Sequence, residues 1–240
     1  MSQQRGQIRV GRITGYGSNK VKPSYTGFTV IEVMTKSSPY GDLGPYVLKN
    51  DKGELMENIW QFSKVYPSVP YSKQKYSQYD PTIIWEHPAE VHIDNQTNQP
   101  NDKYWNWRKK GMECKYAVRY PVGYSHRHQV LYTLTDSGQK LNYIEARKTI
   151  YLPVYVDLVS KSQRFQSLKQ RHQNGENLLI IEIDGPHQES LPYYKNKYNV
   201  DDSFIQGSTM LATQDNLNVM LNDDKHPFGH GYCLAIALQL

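Results

Sequence analysis

Glu57, Trp60, Gln61 and Lys64 stand at i, i+3, i+4 and i+7, a spacing that lines them along one face of a helix. A carboxylate, an indole, an amide and an amine on one face make a wall suited to a ligand with both flat and polar parts. On the same helical wheel Leu55, Ile59, Phe62 and Tyr66 fall within about 60° of one another and form the core-facing stripe. Trp60 therefore points away from the core, where a large apolar ring is costly unless something covers it. The turn Ser37–Gly41, with Tyr40 and Gly41 at its end, precedes this helix and is placed to fold across it.

Two further clusters carry polar chemistry. Asp184 and His187, in Asp184-Gly185-Pro186-His187-Gln188-Glu189, follow an apolar strand, where loop residues often serve a site. Asp-Gly-Pro is equally plain turn chemistry. In His226-Pro227-Phe228-Gly229-His230-Gly231, the residues Gly229, His230 and Gly231 precede the terminal apolar segment, where backbone N–H groups at a helix start can receive a phosphate. No Cys or carboxylate spacing supports a metal there, and none is expected elsewhere. Tyr124-Ser125-His126-Arg127-His128 reads as a surface loop. Tyr104 to Tyr120 interleaves aromatics with Arg108, Lys109, Lys110, Lys115 and Arg119, a mix that can stack on bases and meet phosphates, or simply give a helix a basic outer face. Gly11 to Lys20 lacks the Gly-Lys-Ser/Thr spacing of a P-loop, and phosphate contact there has little support.

The elements that must hold these residues follow from pattern. Residues 54–66 read as one helix stopped by Pro67, and 67–82 as a Pro-, Ser- and Tyr-rich loop. Phe28–Thr35 reads as a strand, as does the short run 83–85. Trp105–Tyr116 reads as a helix capped by Asn101 or Asp102. Leu152 to about Gln173 reads as a single helix, with Pro153 in its first turn and Gly175 past its end. Asn177–Asp184 reads as a strand, and a buried one, because its apolar run Leu178–Ile181 is continuous rather than alternating. Residues 215–221 form a short helix, and Gly231–Leu240 a buried helix or strand. Irregular mixing of helices and strands argues for α+β, and no linker divides the chain, so 1–240 is expected to be one domain.

With 240 residues the chain can bury a core without disulfides, and Cys114 and Cys233 read as free thiols in a reducing compartment. No apolar run follows the N-terminus and none approaches membrane-spanning length, so the expectation is a cytoplasmic protein with no membrane contact. The net charge of +5 permits an anionic partner without demanding one.

Ser38-Pro39-Tyr40-Gly41-Asp42, Lys52-Gly53 and Glu57-x-x-Trp60-Gln61-x-x-Lys64, in that order, resemble the motif of the NADAR family: a small-Pro-Tyr-Gly turn, an Asp-Gly-type turn, then Glu-x-x-aromatic-Gln-x-x-Lys on a helix. The resemblance covers about 30 residues, 38–64 at its core. Leu43-Gly44-Pro45 stands where the family has Ser-Asn-Phe. Phe228 to Leu234 stands nearest the family's closing Gly-x-Asn-x-Leu-Gly helix start, without the Asn. The resemblance implies a single NADAR-like domain with an enlarged middle segment. It also implies an N-glycosidase acting on ADP-ribosyl or phosphoribosyl adducts, including ADP-ribosylated guanine in DNA or RNA. Glu57 is then the acid/base and Lys64 the amine nucleophile. Tyr40, Gly41, Trp60, Gln61, Asp184, His187, Gly229, His230 and Gly231 would bind substrate, and no cofactor is needed. The alternative class is a non-catalytic module that binds a nucleotide or modified nucleic acid.

Overall fold

The structure, a computed structural model, describes residues 4–15 and 19–240. The chain gathers into two compact units, one of Met1–Gly44 with Leu152–Leu240 and the other of Pro45–Tyr151. Strands β1 (Ile8–Arg12) and β2 (Thr29–Glu32) open the first unit. The second holds α1 (Met56–Phe62), β3 (Lys64–Val65), β4 (Ser68–Val69), β5 (Ser72–Lys75), β6 (Ile83–His87) and β7 (Glu90–Val91). It continues with α2 (Asp102–Met112), β8 (Tyr132–Leu134), β9 (Lys140–Leu141), α3 (Tyr143–Ala146) and a π-helical turn over Arg147–Tyr151. The first unit resumes with α4 (Leu152–Ser160), α5 (Gln163–Gln173), β10 (Leu178–Glu182), α6 (Leu191–Tyr198), β11 (Thr209–Leu211), α7 (Gln214–Asn222) and α8 (His230–Gln239). Helices and strands mix without regular alternation, as α+β requires. No helix among the described residues is long and apolar enough to cross a membrane.

The first unit is built on a sheet ordered β11-β1-β10-β2. Strand β10 runs parallel to both neighbours, with Ile180 opposite Val10 on one side and Ile31 on the other. All five of its residues are buried, which is why its sequence is continuously apolar rather than alternating. Helix α8 packs on β1, β10 and α4; it is apolar nearly all round and almost wholly buried. The expected single helix over 152–173 is two helices. The first ends at Ser160, and Ser162 caps the second, its hydroxyl accepting from Phe165 N, because a side chain that satisfies the free N–H groups lets a helix start there. Gly175, at φ +94°, closes α5 as expected.

The second unit has an aromatic core in which Phe62 lies 4.8 Å from the Trp85 ring and 4.6 Å from that of Trp107. Gly111 lets α2 approach α1, since a Cβ there would meet the Phe62 ring at 2.1 Å. Asn101 caps α2, accepting from the backbone N–H groups of Lys103 and Tyr104. Two expectations fail here. The helix expected over 54–66 stops at Phe62, because the Ser63 hydroxyl donates back to Ile59 O and the chain then leaves to pair Lys64 with Thr133 on β8. The loop expected over 67–82 contains β4, paired with β7, and β5, paired with β6. Those strands are polar and short, so backbone pairing rather than side-chain alternation defines them. Within the Gly11–Lys20 stretch, Tyr16, Gly17 and Ser18 lie outside the described residues, while Gly11 sits in β1.

Candidate functional site

Glu57 occupies the first turn of α1 and is buried. Gln61, one turn later, donates from Nε2 to Glu57 Oε1 at 2.9 Å. Lys64 comes after the helix, on β3, yet its Nζ donates to Gln61 Oε1 at 2.7 Å. The amide of Gln61 thus stands between carboxylate and amine and bonds both. Trp60 completes the group, with Lys64 Nζ 4.8 Å from its ring centroid. The four residues do share one place, although Lys64 reaches it from a strand.

Trp60 is covered after all. Its ring lies 5.0 Å from that of Tyr151 and 6.3 Å from that of Tyr143, and the Arg147 guanidinium sits 4.2 Å over Tyr143. These three neighbours come from the helical run that begins at Tyr143, and the sequence reading missed them. Their spacing, Tyr143-x-x-x-Arg147-x-x-x-Tyr151, was the signal: three large side chains at helical intervals. Burial pushes the Lys64 amine down to about 8 from 10.5, and the nearby Glu57 carboxylate only partly offsets this. A lysine so placed is neutral far more often than one in water, as a nucleophilic amine must be.

The other expected site residues belong to the first unit. Gly41 is buried in a tight turn where a Cβ would meet Thr35 O at 2.2 Å, and Tyr40 accepts a hydrogen bond from Arg171 and lies under Arg164. Asp184 is exposed just after β10. His187 bonds Arg12 and, at 3.0 Å, Glu189; burial is the main force lowering its pKa. Gly229, His230 and Gly231 surround a residue that the sequence reading did not name, Glu182. A Cβ on Gly229 would lie 2.3 Å from Glu182 Oε2, and one on Gly231 would lie 2.9 Å from its Cδ. His230 bonds Val33 O at 2.6 Å and approaches Glu182 at 3.4 Å. Burial, and then the charge of Asp184, raise the Glu182 carboxyl to about 8, against the backbone N–H groups of Gly231 and Tyr232. The two glycines are thus required for close approach to a buried carboxyl. The one acidic residue inside an apolar strand, in Asn177-Leu178-Leu179-Ile180-Ile181-Glu182, was the available signal.

In the basic-aromatic tract Tyr104 and Trp107 are buried, whereas Trp105 is 44% exposed and Lys109 and Lys110 are exposed, the Lys110 amine donating to Glu86 O. A groove of about 430 Å³ lies between Pro70–Gln74 and Tyr120–His126, lined by Tyr71, Lys73, Tyr120 and Tyr124 among others. Compared with models of known families, with curated proteins and with solved structures, the chain finds no match in any of the three.

Proposed function

We propose that the chain is an N-glycosidase that releases an ADP-ribosyl or related ribosyl group, with Lys64 as nucleophile and Glu57 as acid/base, in a NADAR-like site. The observation that carries this reading is the Lys64 amine, held at about 8 by burial and bonded through Gln61 to the buried Glu57. In the proposed reaction neutral Lys64 attacks the anomeric carbon as the bond from that carbon to the base nitrogen breaks. The proton that the Lys64 ammonium gives up in becoming neutral is taken by the Glu57 carboxylate, which passes it to the leaving base. The sugar ring then opens: the C–O bond at the anomeric carbon breaks, the ring oxygen takes a proton from the amine, and Lys64 holds the carbon as a Schiff base. Water adds to that carbon with its proton going to Glu57, and the sugar leaves as the free aldehyde, restoring the amine.

Trp60 with Tyr143 and Tyr151 supplies rings against which a base can stack. The groove lined by Tyr71, Lys73, Tyr120 and Tyr124 offers aromatic and cationic contacts to a polymer, which favours a base in nucleic acid as substrate. Glu57→Gln and Lys64→Ala test the reading. Each abolishes release of ADP-ribose while leaving ligand affinity within about tenfold, whereas a non-catalytic binding module shows no release in the wild type either.

A further inference from the structure

The turn between β6 and β7 brings together three side chains that the proposed glycosidase chemistry does not use. His87 ends β6, Glu90 begins β7 and His92 follows it. Nε2 of His87 lies 2.7 Å from Glu90 Oε1, and Nε2 of His92 lies 3.0 Å from the same oxygen. All three ligand atoms are within 4.8 Å of one another. Both imidazoles are at least nine-tenths buried, and neither Nδ1 has a hydrogen-bond partner among the described residues. The rings are fixed by aromatic neighbours: His87 stacks on Trp85 at 5.5 Å, and His92 meets the rings of Tyr104 and Trp107 at 5.8 and 5.2 Å.

Two imidazoles aim the same nitrogen at one carboxylate oxygen. If both Nε2 atoms carry their protons, two buried Nδ1 lone pairs face surroundings that give them no donor. If the protons sit on Nδ1, both Nε2 lone pairs point at an anionic oxygen, which is repulsive unless a cation lies among the three atoms. Tetrahedral zinc, with bonds of about 2.0–2.2 Å to such ligands, places them about 3.3 Å apart. The two imidazole–carboxylate distances must lengthen by about 0.3–0.6 Å, and the two Nε2 atoms, within 4.8 Å of each other, must close by at most about 1.5 Å to reach that spacing. A donor set of two imidazoles and one carboxylate suits zinc and similar divalent transition metals rather than calcium or magnesium.

We propose that His87 Nε2, Glu90 Oε1 and His92 Nε2 form a zinc-class site, with a fourth position open to water through the partly exposed Glu90. This replaces the expectation of no metal. The site joins the two paired strand ladders of the second unit. His87 lies opposite Ser72 in the β5–β6 pair, Glu90 lies opposite Val69 in the β4–β7 pair, and His92 N bonds Pro67 O. A metal there staples both ladders to the aromatic core.

The test is direct titration of the untagged full chain, stripped with chelator, first with Co²⁺ alone and then with Zn²⁺ alone. One Co²⁺ per chain is expected at micromolar concentration, with the visible absorption of a four-coordinate site, displaced by Zn²⁺. Zn²⁺ raises Tm by several degrees. Glu90→Gln, with an unchanged circular-dichroism spectrum, weakens binding at least tenfold and removes the Tm shift, while His126→Ala/His128→Ala changes neither. X-ray absorption of the zinc-loaded wild type needs no variant and shows two imidazoles with oxygen ligands. Absence of stoichiometric binding, binding unaffected by Glu90→Gln, binding lost in the His126/His128 variant, or a ligand set without two imidazoles overturns the proposal.

Discussion

Lys64 Nζ donates to Gln61 Oε1 at 2.7 Å although the two residues belong to different elements, Gln61 to the last turn of α1 and Lys64 to β3. The contact survives the end of the helix because Ser63 continues the helical turn for one residue, at φ −79° and ψ −13°, before the strand begins. The same amide bonds Glu57, so Gln61 fixes the distance between the two groups that the proposed reaction needs. Gln61→Leu removes the bridge while keeping the bulk. Turnover of an ADP-ribosylated substrate is expected to fall by about 10²-fold with a smaller change in KM, since the loss is one of orientation. Single-turnover kinetics checks this.

The lowered pKa of Lys64 gives a pH signature. At pH 7 about a tenth of the amine is neutral with a pKa near 8, so the reactivity of Lys64 towards an amine-specific reagent rises roughly tenfold between pH 7 and 9. Stability follows the same sign. The folded pKa lies below the ordinary 10.5, so the unfolded chain binds more protons between about 8 and 10.5, and stability from this group rises with pH across that window. Below pH 8 the charged amine is a burden on the fold. Lys64→Met is therefore expected to be as stable as the wild type or more so at pH 7, by about 1 kcal/mol, while inactive. Denaturant melts at pH 7 and 9.5 check it.

Glu182 has the opposite linkage. Its folded pKa, about 8, lies above the ordinary 4.5, so the folded state holds a proton that the unfolded state loses. The wild type loses stability as pH rises from about 5 to 8, and Glu182→Gln flattens that slope. Relative to the wild type the variant gains roughly 1–3 kcal/mol at pH 8 compared with pH 5. Thermal melts over that range read the difference.

Gly229→Ala forces a methyl group to 2.3 Å from Glu182 Oε2, a distance that real atoms do not keep. A loss of about 2–4 kcal/mol is expected. Combining it with Glu182→Ala costs less than the two losses added, because the clash is shared. Urea denaturation of the four proteins of the cycle decides it.

Asn58, the buried neighbour of Glu57 on α1, holds the chain after α2: its Nδ2 donates to Cys114 O and Tyr116 O, and its Oδ1 accepts from Val118 N, each at 2.9 Å. Asn58→Ala leaves two part-buried carbonyls and the buried Val118 N–H without this partner, costing about 2–4 kcal/mol in a thermal melt.

Much of the fold is legible in the sequence where one force dominates. Leu178–Ile181 announces a buried strand by apolarity alone, and the pair Asn101-Asp102 announces the start of α2 by cap chemistry, which Asn101 supplies. Strand β1 is hidden because Arg9 and Gly11 break its apolar pattern. In the fold the Arg9 guanidinium is absorbed by Thr209 Oγ1 at 2.9 Å and by the Tyr25 ring at 4.1 Å, contacts made far along the chain. The site residues Glu57, Trp60, Gln61 and Lys64 do come together, but Lys64 does so from β3 and not along the single helix face that their spacing predicts. Their cover by Tyr143, Arg147 and Tyr151 depends on tertiary packing, as does the dependence of Gly229 and Gly231 on Glu182.

Borohydride trapping tests the central claim most directly. The protein is mixed with guanine-ADP-ribosylated DNA and, separately, with an ADP-ribosylated guanine mononucleotide, then reduced and mapped by mass spectrometry. The account predicts a stable sugar adduct on Lys64 with release of ADP-ribose, neither of which forms with Lys64→Ala. Binding of both substrates without adduct or release, or an adduct that persists in Lys64→Ala, would contradict it.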